Sequence, residues 1–228
     1  VPESQWQTQA AALGIPGDFL DRLVQETMGS ASIPSSATQT LQYLQQGLAT
    51  LSLEARVGMG TYYRRDYDRW LATLTDLKLN AASVEALADA YFANHFPESA
   101  NRSLNPRTSG QIWYAIAHDQ IHALRQKNNL VTLAAQPGHH DQVLNYGQGQ
   151  IYQIRLGPQQ TLAVQLDTPT SGLRLSVIQD GRWLLKNSAD LNWSAPATHQ
   201  ATIYEVVLTP TRLDKIAYRL RLQVSAKG

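Results

Sequence analysis

The sharpest chemical pattern in this 228-residue chain is His118-Asp119-Gln120-Ile121-His122. Histidines at i and i+4 of a helix project from one face and can share a metal ion. Zinc proteases use this spacing with a glutamate in second place as general base; Asp119 is one methylene shorter and would have to reach the same water. A third ligand would come from His139, His140 or Asp141, or from His95. The competing reading is two polar side chains on the solvated side of an amphipathic helix whose core face is marked by Trp113, Ile116 and Leu124. A metal-dependent hydrolase using His118 and His122 is therefore the alternative reading, and no cofactor is expected.

A second cluster is dense in rings and guanidinium groups: Tyr62, Tyr63, Arg64, Arg65, Tyr67, Arg69 and Trp70. Tyr62, Arg64 and Arg65 can stack a sugar or anchor a protein partner. Tyr63, Tyr67 and Trp70 are helix-spaced and are expected to pack inward, and Asp66 and Asp68 cancel much of the charge. In the C-terminal part, Arg155, Arg174, Arg219 and Arg221 all fall opposite the apolar positions of their segments. If those strands are neighbours, one sheet presents an arginine-rich face suited to carboxylates, phosphates or sulfated glycans. A solvated polar face is the plainer reading.

Composition removes several classes of function. The chain has no cysteine, hence no disulfide, thiolate nucleophile or cysteine-ligated zinc. It has no Gly-x-Ser-x-Gly elbow and no glycine-rich phosphate loop, and Glu54, Asp66, Asp68 and Glu98 form no recognisable carboxylate pair. A net charge of +1 offers no basic footprint for nucleic acid. No stretch approaches the ~20 apolar residues of a membrane span. The opening Val1-Pro2-Glu3-Ser4-Gln5 reads as the start of a mature chain after removal of a signal peptide, which points to a periplasmic or secreted protein.

These side chains must be positioned by two kinds of backbone. Up to about residue 135 the apolar spacing is helical. Asp18 caps a helix through Phe19, Leu20, Leu23 and Val24. Ser36 caps another through Leu41, Leu44, Leu48, Leu51 and Leu53, ended by Gly58-Met59-Gly60, since glycine costs about 1 kcal/mol in a helix interior. Further helices are expected over Thr61–Leu77, from Asn80 or Ser83 to Pro97, and from Thr108 or Ser109 to about Lys127. Residues 136–149, with three glycines and no periodicity, are expected to be a linker. From residue 150 to 228 the period falls to two. Tyr152, Ile154 and Leu156, then Leu162, Val164 and Leu166, then Leu173, Leu175 and Val177 alternate with polar neighbours. Asp180-Gly181 marks a hairpin. The result is α+β in two segregated parts: an N-terminal helical bundle over 1–135, then an antiparallel β-sandwich or jelly roll.

The order of features in residues 150–225 resembles the bacterial pre-peptidase C-terminal domain, a small β-sandwich. The residues that carry the resemblance are Tyr152-Gln153-Ile154-Arg155-Leu156, Gly157-Pro158-Gln159-Gln160-Thr161-Leu162, the strand Leu173–Ile178 with Asp180-Gly181, and the closing Ala217-Tyr218-Arg219-Leu220-Arg221-Leu222. The family's acidic, glycine-rich run after the central hairpin is replaced by Lys186-Asn187-Ser188-Ala189-Asp190. That run has one carboxylate, too few oxygens for calcium. The resemblance implies an appended domain of secreted proteins with a surface, glycan-binding, protein-binding or processing role.

The expectation is a non-enzymatic extracytoplasmic binding or scaffolding protein that engages a protein or envelope glycan. Besides the hydrolase, a sensor or regulatory ectodomain stands as an alternative. It requires a ligand pocket at the junction of the two parts.

Overall fold

The computed structural model describes residue 8 and residues 10–28, 45–96, 103–145, 148–212 and 214–226. The expected cap Ser36, the stripe residues Leu41 and Leu44, and Glu98 lie outside them. Among the described residues, α-helices come first: α1 (Gly17–Met28), α2 (Leu53–Val57), α3 (Arg64–Ala72), α4 (Ala81–His95) and α5 (Ser109–Arg125). Residues 8, 10–13 and 45–49 are also helical. Nine strands follow: β1 (Leu130–Leu133), β2 (Gly138–Leu144), β3 (Gln150–Leu156), β4 (Gln160–Asp167), β5 (Leu173–Gln179), β6 (Arg182–Ser188), β7 (Asn192–Ala195), β8 (Thr202–Pro210) and β9 (Ile216–Ala226). Helices and strands are segregated along the chain as expected.

The strands form a five-stranded sheet in the order β1-β3-β8-β5-β6 and a four-stranded sheet in the order β2-β9-β4-β7. All ladders are antiparallel except β1 with β3, which is parallel. Tyr152, Ile154, Leu156, Leu175, Val177, Val206 and Leu208 of the first sheet meet Leu162, Val164, Leu220 and Leu222 of the second in one sandwich core. Alternation along β4 and β9 was legible because one of their faces is solvated.

The five-stranded sheet is different, because its outer face is covered by the helices. Ile151, Ile178 and Val207 belong to the helical core, together with Val84, Leu87, Ile112 and Ile116. Among the described residues there are therefore three layers: helices, a sheet buried on both faces, and a sheet with one bare face. Helix α4 is sandwiched between α5 and β8. It is buried nearly all round, at Ala82, Ser83, Val84, Ala86, Leu87, Ala88, Tyr91, Phe92 and His95. At Gly149 a Cβ would stand 2.1 Å from the Leu87 side chain and 3.0 Å from the Leu208 carbonyl, so a larger residue entering β3 beneath α4 would have to displace Leu87.

Three local expectations are corrected. Residues 136–149 are not a free linker, since Gly138–Leu144 pair along their whole length with β9. As a sheet edge, β2 buries only Leu144, which leaves no periodicity to read. The helix expected from Thr61 starts at Arg64, with Tyr63 in extended conformation at its N-cap and 59% exposed rather than packed inward. The stripe through Leu48, Leu51 and Leu53 is broken at Ser52, whose hydroxyl accepts from the Ala55 N–H at 3.1 Å and caps α2. The Asp180-Gly181 hairpin is present, with φ of +48° and +78° at the two residues.

Candidate functional site

The histidine motif lies on α5, but its members are separately engaged. Asp119 accepts hydrogen bonds from the Ser52 backbone N–H at 2.7 Å and the Ser52 hydroxyl at 2.6 Å. Both carboxylate oxygens thus hold the start of α2. The His118 ring stands edge-on to Trp70 with centroids 5.0 Å apart, and its Nε2 lies 3.6 Å from Glu54. Gln126 donates to His122 Nε2 at 2.7 Å. His139, His140 and Asp141 sit on β2, at the edge of the distant sheet, and His95 is buried in α4. Among the described residues, no group of three or more His, Asp or Glu side chains could hold a metal ion.

The ring-and-guanidinium cluster is largely satisfied within itself. The Tyr62 hydroxyl donates to the Ala55 carbonyl at 2.9 Å, and its ring meets Trp70 edge-on at 5.2 Å. Burial, reinforced by the charges of Asp119, Glu54 and Asp66, pushes the Tyr62 phenol up to about 12. Buried Gln111 accepts from the Gly60 and Tyr62 N–H groups and donates to the Tyr62 and Pro106 carbonyls, which fixes the loop. Arg64 pairs with Asp68 at 2.9 Å, and Arg65 lies over the exposed Tyr63 ring at 5.0 Å.

The single arginine face does not form. Arg155 on β3 and Arg174 on β5 lie on the helix-facing side of the five-stranded sheet. They flank β8 at opposite ends, opposite Ile203 and Thr209. Arg219 and Arg221 lie on β9, on the bare outer face of the other sheet. The alternating apolar residues of these strands point into the shared sandwich core, so the arginines between them emerge on opposite surfaces of the two sheets. On the bare face Arg219 makes a two-pronged bond to Asp141 at 2.6 and 2.9 Å, and Arg221 pairs with Asp167. The Arg219 hydrogen bond holds the Asp141 carboxyl below its usual range. The depression here, about 830 Å³, is wide and shallow, and its charges are mutually satisfied.

A narrower cleft of about 350 Å³ lies where the helical layer meets the β5–β6 hairpin. Its floor is Ala86, Ala90 and Ala93 on α4, small enough to leave a trough. Its walls are Trp113 from α5 and Trp183 from β6, with Asp89, Lys186 and Asn187 at the rim. The Trp113 indole N–H donates to Asp89 Oδ1 at 2.9 Å. Lys186 Nζ lies 3.6 Å from Asp89 Oδ2 and 4.8 Å from the centroid of the Trp183 ring. Two indoles and a pre-oriented carboxylate thus converge on one trough, the usual constitution of a ligand seat.

Trp183 reaches this cleft because of a break in register. Ile178 pairs with Trp183, whereas the adjacent Val177 pairs with Leu185. Leu184 is therefore an extra residue, a β-bulge that re-aims its neighbour. Trp183 packs on the helical core and Leu185 on the sandwich core, although strict alternation places both on one face. Sequence reasoning missed the cleft for that reason. Trp113 packs on the helical core as its spacing implies, but its indole N–H also reaches Asp89, and Lys186 enters the sequence reading only as part of a run too poor in carboxylates for calcium. Nothing in the local pattern ties Asp89 to either tryptophan.

No family model matches the chain. Over 187 residues, 78% of its length, it is 27% identical to the serine/threonine-protein kinase-like protein E of Synechocystis sp., of which it spans 30%. No described helix is long and apolar enough to cross a membrane. The structure is similar to PliG of Aeromonas hydrophila, a periplasmic inhibitor of g-type lysozyme, with 13% identity and a TM-score of 0.32 over 42% of this chain and 98% of that one. It is also similar to the pre-peptidase C-terminal domain of a Bacillus anthracis collagenase, with 9% identity and a TM-score of 0.33 over 41% of this chain and 94% of that one.

Proposed function

We propose that the chain is a non-enzymatic, extracytoplasmic binding module that seats part of a protein or envelope glycan in the cleft between α4, α5 and the β5–β6 hairpin. The observation that carries this reading is the convergence of Trp113, Trp183 and Asp89 on one trough, with Asp89 already held by an indole N–H. Aromatic walls supply contact area at small entropic cost, and the carboxylate supplies direction.

A specific observation favours a regulatory use of that module. The chain matches 30% of a kinase-like protein, yet it contains neither the His-Arg-Asp nor the Asp-Phe-Gly motif of a kinase catalytic domain. Its layers of helices and antiparallel sandwich supply a recognition element that such a protein can carry beside its catalytic part. The cleft sits at the junction of the two parts, where a sensor would hold its ligand.

The test is a thermal-shift screen of the purified chain against envelope glycan fragments and peptides, since any ligand of the folded state alone raises stability. A ligand should raise the melting temperature of the wild type and not that of Trp183→Ala. A ligand whose effect survives Trp183→Ala but disappears in Arg219→Ala would move the seat to the bare sheet.

A further inference from the structure

Resting on the reading of the cleft as a ligand seat, we propose that it recognises an alkylammonium group, in the place that Lys186 fills from within. The Lys186 ammonium is held by two features that together make a cation subsite: the face of Trp183 at 4.8 Å and Asp89 Oδ2 at 3.6 Å. An indole face attracts a cation through its quadrupole, and the attraction grows as water is excluded. Neither partner depends on Lys186 for its position. Asp89 is fixed from the other side by Trp113. Trp183 is fixed by its pairing with Ile178 and by packing on the helical core.

Lys186 is a weak occupant. Its side chain is 60% exposed and that of Asp89 47%, so the pair is close to water, and exposed pairs of this kind contribute little to stability. An incoming ammonium can therefore replace it, with its carbon stem lying along the alanine floor of α4 while the Lys186 head returns to solvent. The polarity follows from the same geometry. An anionic ligand would have to approach the Asp89 carboxylate, and a neutral one that displaced Lys186 would leave Oδ2 with no cation beside it.

The chemistry can be presented by a lysine side chain of a partner protein or by a free small amine, and the experiment separates them. Indole fluorescence is titrated with butylammonium and tetramethylammonium as free cations. A short lysine-containing peptide and its norleucine counterpart represent the protein source, and 3,3-dimethylbutan-1-ol is the neutral isostere. Lys186→Ala should bind the cations about threefold more tightly than the wild type, and Asp89→Asn about threefold more weakly, in line with the modest strength of an exposed ion pair and cation–π contact. The lysine peptide binding more tightly than the free cations assigns the protein source, and the reverse order the small amine. Equal or weaker cation binding by Lys186→Ala, with both variants folded by circular dichroism, overturns the proposal. So does binding of the neutral isostere as tightly as the cations, and so does binding of acetate that Lys186→Ala abolishes. In those last two cases the cleft remains a seat if Trp183→Ala removes the binding, and only its preference for cations falls.

Discussion

Glu205, on the central strand of the buried sheet, accepts the hydroxyl hydrogen bond of Ser83 in the first turn of α4. Its two carboxylate oxygens also lie 3.1 and 3.2 Å from the Asn80 N–H at the cap position of that helix. Asn80 makes no side-chain cap bond of its own. A side chain 125 residues away in sequence thus serves the helix N-terminus and locks the helical layer to the sheet.

Glu205→Ala is expected to destabilise the fold by about 1–3 kcal/mol, because buried N–H and O–H groups lose their acceptor. Urea unfolding measures this; an unchanged midpoint would remove Glu205 from its role as the staple.

Burial raises the Glu205 carboxyl pKa above its ordinary value, against the opposing hydrogen bonds of Ser83 and Asn80. A raised folded-state pKa means that protonation favours the fold. That contribution is full below the ordinary glutamate pKa and is lost as pH rises through the folded value. Relative to Glu205→Gln, the wild type should therefore gain stability as pH falls from neutral toward the ordinary glutamate range. Parallel stability curves for the two proteins would contradict it.

His95 has the opposite sign. Burial lowers its pKa to about 4 from an ordinary 6.5. The folded state keeps the ring neutral while the unfolded chain takes up a proton, so its contribution is present above pH 6.5 and is lost as pH falls toward 4. His95→Gln should flatten the fall of melting temperature over that window; an unaltered slope would place the acid sensitivity elsewhere.

Across the sandwich, the hydroxyls of Tyr152 and Tyr218 share a buried hydrogen bond of 2.6 Å. It joins β3 of one sheet to β9 of the other. Each single Tyr→Phe change should cost about 1 kcal/mol, and the double change less than the sum, because only a single change leaves one hydroxyl unpaired. Additive costs in the double-mutant cycle would show that the two hydroxyls are not coupled.

Much of this architecture was legible in the residues. The change from helical spacing to alternation, the Asp180-Gly181 hairpin and the Tyr218-x-Leu220-x-Leu222 strand follow from local backbone preference and one-sided burial. Residues buried on two sides were harder. Val207 and Ile178 face helices while Val206 and Val177 face the second sheet, so apolar runs replace alternation. The arginine face failed because alternation tells which residues point outward but not which sheet a strand joins. The cleft was invisible for a related reason: a bulge at Leu184 decides where Trp183 points, and bulges depend on the partner strand. The histidine motif had the right spacing on the right helix, but Asp119 was already engaged by Ser52 in a contact 67 residues apart.

Four of the chain's five tryptophans serve as indole reporters: Trp113 and Trp183 in the cleft, Trp70 beside Tyr62 and His118, and Trp193 on β7, packed against Tyr204 on the inner side of the second sheet. The most direct test is a two-dimensional NMR titration that follows the indole N–H resonances as ligand is added. Shifts at Trp113 and Trp183, with Trp70 and Trp193 still, are the predicted result. Shifts confined to Trp70 or Trp193 would contradict the assignment of the cleft.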